Sequence, residues 1–187
     1  MSGKLFVISG PSGAGKGTLV SRVEDAMDDI WVSVSATTRA PREGEVDGTN
    51  YFFMDREEFE KLASDGGFLE WAEYSGNLYG TPIAPIREHM AKGDNVILEI
   101  EVQGADQVKD KLPDSYTVFI EPPSMEVLEQ RLRSRGTEAD EAIALRMRTA
   151  EVEMMRKMEY DKQLVNDDLD TATEELIRYI KETAAIS

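Results

Sequence analysis

One stretch, Lys4 to Thr18, constrains the fold of this 187-residue chain more than any other: KLFVISGPSGAGKGT. Its first six residues form a short apolar run of the kind a buried strand uses. Gly10 to Lys16 then fit the spacing G-x-x-x-x-G-K, and LVSRVEDAM follows, with Leu19, Val20, Val23 and Met27 on one helical face. A strand, a glycine loop and a helix in succession are the parts of an anion cradle. Glycines let consecutive N–H groups turn toward one ligand, and the helix adds its positive end. Lys16 supplies a full charge for the β- and γ-phosphates of a nucleotide. A strand feeding a helix in this way implies a parallel sheet with right-handed crossovers.

The rest of the chain continues the alternation. Asn95 to Val102 (NVILEIEV), Tyr116 to Glu121 (YTVFIE) and Gln163 to Asn166 (QLVN) read as strands. SMEVLEQRLRSRG reads as a helix, as does Glu138 to about Tyr160, and Thr171 with Glu174 forms a capping-box pattern ahead of Leu176, Ile177 and Ile180. The middle differs. Trp31 to Thr37, Asn50 to Met54 and Gly67 to Tyr74 read as short strands, antiparallel in part, with Asp55 and Glu58 opening a helix between them and Thr81-Pro82 opening another that ends near Gly93. The expected architecture is α/β, within one unit over about 4–180. Residues 1–34 and 83–187 form a parallel-sheet core with helices on both faces. A small α+β lobe is inserted over 35–82, and a helical lid spans about 125–150.

Thirty-seven acidic residues against 21 basic ones give a formal charge of −16. That balance argues against a nucleic-acid surface, so an anionic ligand must be met by positive charge gathered locally. No apolar run reaches the length of a membrane span. The N-terminal run breaks at Gly-Pro-Ser-Gly, unlike a signal peptide. Cysteine is absent, which excludes disulfides and thiolate metal sites and agrees with an expected cytoplasmic location. The gathering of charge is visible in SATTRAPREGEVDGTNY, where Arg39 and Arg42 precede Gly44, Gly48 and Tyr51. Guanidinium forks on a glycine-loosened loop suit an oxyanion, although Glu43, Glu45 and Asp47 are alternative partners in surface ion pairs. The cradle itself departs from the usual pattern: Gly17 follows the lysine where Ser or Thr is expected, and Thr18 comes one later. Mg²⁺ is therefore expected to be held by nucleotide phosphates and waters, with Glu99 either reaching it through water or serving only as a sheet-end carboxylate.

These motifs, together with GFLEWAEYSGNLYGTP, RSRGTE and VNDDLD, make the chain resemble the guanylate kinases, nucleoside monophosphate kinases of the P-loop class. The resemblance runs from about Lys4 to about Ile180. It implies transfer of the γ-phosphoryl group of MgATP to GMP, with dGMP as a further acceptor. ATP would lie on Gly10, Pro11, Ser12, Gly13, Ala14, Gly15, Lys16, Gly17 and Thr18, with Arg131 and Arg135 from the lid and Asn166 near the adenine. GMP would be held by Ser35, Arg39, Arg42, Tyr51, Glu70, Tyr79, Thr81 and Glu101. Lys16, Arg39, Arg42, Arg135 and Arg146 would offset the charge of the migrating phosphoryl group. Glu70 would take the N1–H and N2 amino donors of guanine, which a carboxylate can accept and adenine does not offer. Glu101 stands where the family usually has aspartate, so its contact is expected to be shifted or bridged by water. The acceptor phosphate is already an anion, so no general base is required, and the lone histidine, His89, reads as a residue of the helix before Gly93.

Two other readings stay open at the level of sequence. Guanylate-kinase-like modules of scaffold proteins bind phosphopeptides without catalysis, but they typically lose the cradle that Gly10, Gly15 and Lys16 keep intact here. A kinase for AMP, dAMP or a pyrimidine nucleotide would share the cradle but not the Glu70, Ser35 and Thr81 set. Nothing in the residues reports oligomeric state.

Overall fold

The computed structural model describes residues 2–74, 76–134 and 139–186. Five strands form a parallel sheet: β1 (Leu5–Ser9), β2 (Ile30–Val32), β7 (Asn95–Glu99), β8 (Tyr116–Glu121) and β9 (Lys162–Val165), in the order β2-β7-β1-β8-β9. The strands are apolar on both faces because both faces are covered. Phe6 and Ile8 of β1, with Ile97, Val118, Ile120 and Leu164, pack beneath α1 (Lys16–Ala26) and α7 (Leu169–Ala184). Leu5 and Val7, one residue out of phase, pack with Val96, Leu98 and Phe119 beneath α3 (Ile83–Lys92) and α4 (Val102–Lys111). Each such aliphatic or aromatic side chain contributes roughly 1.5–3 kcal/mol on burial.

A second sheet, in the order β4-β3-β6-β5, is built from β3 (Ala36–Thr37), β4 (Phe52–Phe53), β5 (Phe68–Tyr74) and β6 (Asn77–Pro82). It pairs antiparallel along β6 and parallel between β3 and β4. Helix α2 (Arg56–Ser64) covers it, stacking Phe59 on Phe68 at 4.3 Å between ring centroids. The Asp55 carboxylate caps α2 by accepting the Glu58 N–H at 2.7 Å, as the sequence signal implies. Two further helices, α5 (Met125–Ser134) and α6 (Asp140–Met155), pack on each other through Leu128, Leu132, Ile143 and Ala150.

Several boundaries differ from the sequence reading. The strand expected over Asn95–Val102 ends at Glu99, and Val102 opens α4. The expected strand Trp31–Thr37 is two strands in two sheets, because Ile30–Val32 registers parallel to β7 while Ala36 and Thr37 pair with β6. The long helix expected to reach Tyr160 stops at Met155. A short 3₁₀ turn follows at Lys157–Glu159 and delivers Tyr160 against Phe119, with ring centroids 5.1 Å apart. Helix α7 begins earlier than the Thr171–Glu174 box predicts. Its cap is Asp168, whose carboxylate accepts both the N–H (2.8 Å) and the hydroxyl (2.7 Å) of Thr171.

Candidate active site

The glycine loop follows β1 and ends on the first turn of α1. Gly15 is the residue before the helix, with φ 92, and a Cβ there would stand 2.4 Å from Nδ2 of Asn166. Both its backbone and its surroundings therefore demand glycine. The same Asn166 amide donates to the Ala14 carbonyl at 2.8 Å, and the Asn166 carbonyl accepts from Nη2 of Arg131 at 2.9 Å. Nη1 of Arg146, on α6, donates to the Ser12 hydroxyl at 2.8 Å. The structure thus brings Ser12, Ala14, Gly15, Arg131, Arg146 and Asn166 together on the loop, from segments up to 152 residues apart. Lys16 is buried, and its ammonium donates to the carbonyls of Gly10 (2.6 Å) and Pro11 (3.2 Å), which holds it over the loop. Arg135 lies outside the described residues.

At the far end of β1 the loop meets a second element. The Ser9 hydroxyl donates to the Ile100 carbonyl at 2.6 Å, and the Ile100 N–H donates to Ile8 at 3.2 Å. These bonds lock the start of the phosphate loop to the end of β7, where Glu99 and Glu101 stand on either side of Ile100. Glu101 occupies the residue before α4, exposed and without a side-chain cap bond. Surrounding protein raises the Glu99 carboxyl, Lys16 opposes the shift, and Glu101 adds to it. Glu153 of α6 belongs to the same electrostatic neighbourhood. Burial pushes its carboxyl up to about 7, reinforced by Glu101 and opposed by Lys16. Nothing in the local sequence around Glu153 distinguishes it from other helix acids, so it was not singled out above.

Helix α4 continues from this junction to the second sheet. A Cβ at Gly104 would lie 3.3 Å from Oε2 of Glu70. The other Glu70 oxygen, Oε1, accepts from the Thr81 hydroxyl at 2.6 Å. Burial raises the Glu70 carboxyl, while the Thr81 bond and the charge of Lys111 pull it back. Lys111, at the last turn of α4, donates to the Phe68 carbonyl at 2.9 Å and so fixes the strand that carries Glu70. Gly104 is the close-approach residue between helix and strand.

The arginine loop lies on the same sheet. Arg39 follows β3, its guanidinium is 5.5 Å from the centroid of the Tyr51 ring, and the Tyr51 and Tyr79 rings meet edge to face at 6.1 Å. Tyr79 pairs with Thr37 in the β3–β6 register, and the Ser35 carbonyl accepts the Phe52 N–H at 2.9 Å. The carboxylate of Glu45 receives Nη2 of Arg39 at 2.9 Å and Nη1 at 3.0 Å, so the ion pair that was one of two sequence readings for this loop exists. Arg42 is exposed and its backbone N–H donates to the same carboxylate at 2.7 Å.

His89 takes no part in either cluster. It stacks on Trp31 at 4.0 Å, and its Nδ1 lies 2.7 Å from Asp94, near the left-handed Gly93 that ends α3. Among the described residues no group of three His, Cys, Asp or Glu side chains converges closely enough to hold a metal ion, and no helix is long and apolar enough to cross a membrane.

Comparison with known proteins bears on this arrangement. Residues 2–183 match the family model described as guanylate kinase. A guanylate kinase from Synechococcus sp. (strain CC9311) is 55% identical over 170 residues, covering 91% of this chain and 90% of that protein. One from Rubrobacter xylanophilus is 50% identical over 183 residues, covering 98% and 96%. The crystal structure of guanylate kinase from Anaplasma phagocytophilum superposes with a TM-score of 0.77 at 32% identity, covering 100% of this chain and 88% of that one.

Proposed function

The chain belongs to the guanylate kinase family, and from that premise we propose how it moves the γ-phosphoryl group of ATP to GMP, giving ADP and GDP. The observation that carries the proposal is the succession of the hydrogen bonds Lys16–Gly10 and Ser9–Ile100, the approach of α4 to Glu70, where a Cβ on Gly104 would stand 3.3 Å from Oε2, and the Glu70–Thr81 bond. It places the half-buried Glu70 carboxylate and the anion cradle at the two sides of the start of one helix.

In this reading the triphosphate lies on the main-chain amides of Gly10 to Thr18, with the Lys16 ammonium moving from loop carbonyls to phosphate oxygens. Arg131, Arg135 and Arg146 approach from α5, the segment after it and α6, and Asn166 borders the adenine. GMP presents its base to Glu70, Thr81 and Ser35 and its phosphate to Arg39, Arg42, Tyr51 and Tyr79, with Glu101 beside the nucleotide. A phosphate oxygen of GMP attacks the γ-phosphorus in line while the bond to the β,γ-bridging oxygen breaks and ADP departs. The nucleophile already carries its negative charge, so positioning and charge neutralisation supply the catalysis.

Mg²⁺ fits this site through water rather than through a protein cage. Gly17 offers no hydroxyl, and the Glu99 carboxylate stands 3.3 Å from where a side chain at position 17 would begin, within reach of a hydrated ion. Bound with ATP, the ion neutralises charge on the phosphates. None of the residues assigned to GMP in this reading is required to meet the ribose 2′-hydroxyl, which supports dGMP as a second acceptor. We place the protein in the cytoplasm, where both nucleotides are available.

The test is substrate profiling of the purified protein with ATP and Mg²⁺ by ADP release. GMP should exceed AMP and UMP in kcat/KM by on the order of 10⁴, the ratio expected when a buried acceptor is left unpaired by the wrong base. Equal use of AMP, or no ADP release with any nucleotide, would overturn the assignment.

A further inference from the structure

The inference concerns Glu45 and rests on the function just proposed. Arg42, Glu43, Gly44 and Glu45 form a tight turn closed by the Glu45 N–H donating to the Arg42 carbonyl at 3.1 Å, with Gly44 at φ 85 in its third position. That positive φ is what such a turn requires, and it folds Glu45 back onto Arg39. The resulting pair is not an ordinary surface bridge: the Arg39 and Glu45 side chains are only 15% and 19% exposed.

The donor arithmetic is informative. A guanidinium has five N–H groups. Arg39 gives one from Nη1 and one from Nη2 to Glu45, and the other Nη1–H goes to the Ala40 carbonyl at 2.8 Å. Both bonds to Glu45 therefore use the end edge of the fork. Neither Glu45 nor Ala40 takes the side edge, formed by Nε–H and the second Nη2–H; the Tyr79 hydroxyl is a further hydrogen-bonding neighbour of this guanidinium, and the side edge is itself suited to bidentate binding of an oxyanion. The same carboxylate fixes the main chain of Arg42. The bonds from Arg39, and next that from the Arg42 N–H, hold its carboxyl below the usual range.

We propose that Glu45 is a positioning residue for the acceptor phosphate: it grips the end edge of Arg39 and the backbone of Arg42 so that the side edge of Arg39 is presented to GMP. The opposite role is also chemically definable. A carboxylate on an arginine fork imitates a phosphate, and Glu45 would then be an internal competitor that GMP must displace. The two roles differ in the sign of one measurement.

Steady-state kinetics on Glu45→Ala, Glu45→Gln and Glu45→Asp, with GMP varied at saturating ATP and then the reverse, decide between them. Positioning predicts that Glu45→Ala raises KM for GMP by tenfold or more. Glu45→Gln, which keeps one acceptor but loses the charge, should raise it by less. Glu45→Asp should restore part of the affinity, and KM for ATP should stay within twofold throughout. A KM for GMP that is unchanged or lower in Glu45→Ala overturns the proposal, and a lower one identifies Glu45 as a competitor. Should Glu45→Ala fail to fold, the Gln and Asp variants give the same sign. Wild-type protein that does not phosphorylate GMP at all refutes the functional reading instead, so the two failures are distinct.

Discussion

At the scale of single residues, the account depends most on Glu70. Its carboxylate must be charged to accept two donors from guanine, yet burial raises its proton affinity. Two consequences of opposite sign follow. As pH falls into the window just above the usual carboxylate range, Glu70 gains a proton and kcat/KM for GMP should decline. Over the same window the protonated form is the one the buried site prefers, so Glu70 favours the fold below its unfolded value and loses that contribution as pH rises through its raised value. Glu70→Gln should remove both dependences and lower kcat/KM for GMP by roughly 10²-fold, the loss of two charge-assisted hydrogen bonds at about 1.5–3 kcal/mol each with partial compensation. A pH series of kcat/KM alongside melting curves for both proteins measures this. A Gln variant with the wild-type profile would show that Glu70 does not read the base. The sequence reading puts Glu70 and Thr81 in one set, and the structure joins them by a hydrogen bond at 2.6 Å. Ser9 was not legible in this way: its bond to Ile100 joins residues 91 apart. That bond depends on β1 lying beside β7, and no local pattern encodes strand order.

At the scale of elements, the contact between α4 and β5 sets where the Glu70 carboxylate stands. A methyl group at position 104 would meet Glu70 Cγ and Ile100 Cδ1 at 3.4 Å, in ordinary contact, and Glu70 Oε2 at 3.3 Å, an approach relieved by a small shift of the carboxylate. Alanine is also the better helix former, by up to about 1 kcal/mol. Gly104→Ala should therefore leave the melting temperature unchanged or higher while raising KM for GMP severalfold with no change in KM for ATP. A parallel loss of stability, or equal effects on both substrates, would contradict the assignment of Gly104 to the position of Glu70. Elements whose signal is strictly local were readable in advance. Tyr116–Glu121 was predicted to the residue, and the Asp55 cap was predicted from its spacing. Elements decided by a distant partner were not. Trp31–Thr37 reads as one strand, and its division between two sheets, with Ile30–Val32 at the edge beside β7 and Ala36–Thr37 beside β6, depends on where those distant strands lie. Helix α7 starts at Asp168 rather than Thr171 because both are competent caps and the earlier one gains two bonds.

For the whole molecule, the arrangement is one parallel core that carries an anion cradle and one small sheet that carries arginines and a selective acid, joined at the start of α4. Against an overall charge of −16, Lys16, Arg131 and Arg146 gather at the glycine loop and Arg39 stands separately on the small sheet, one positive group for each of the two phosphorylated substrates of the proposed reaction. Separate seats for donor and acceptor require direct transfer within a ternary complex, with no phosphoryl group parked on the protein. The direct test is a two-substrate initial-velocity matrix with ATP and GMP both varied in Mg²⁺. Double-reciprocal lines that intersect to the left of the axis are predicted; parallel lines, the mark of a phosphorylated enzyme intermediate, would contradict the account.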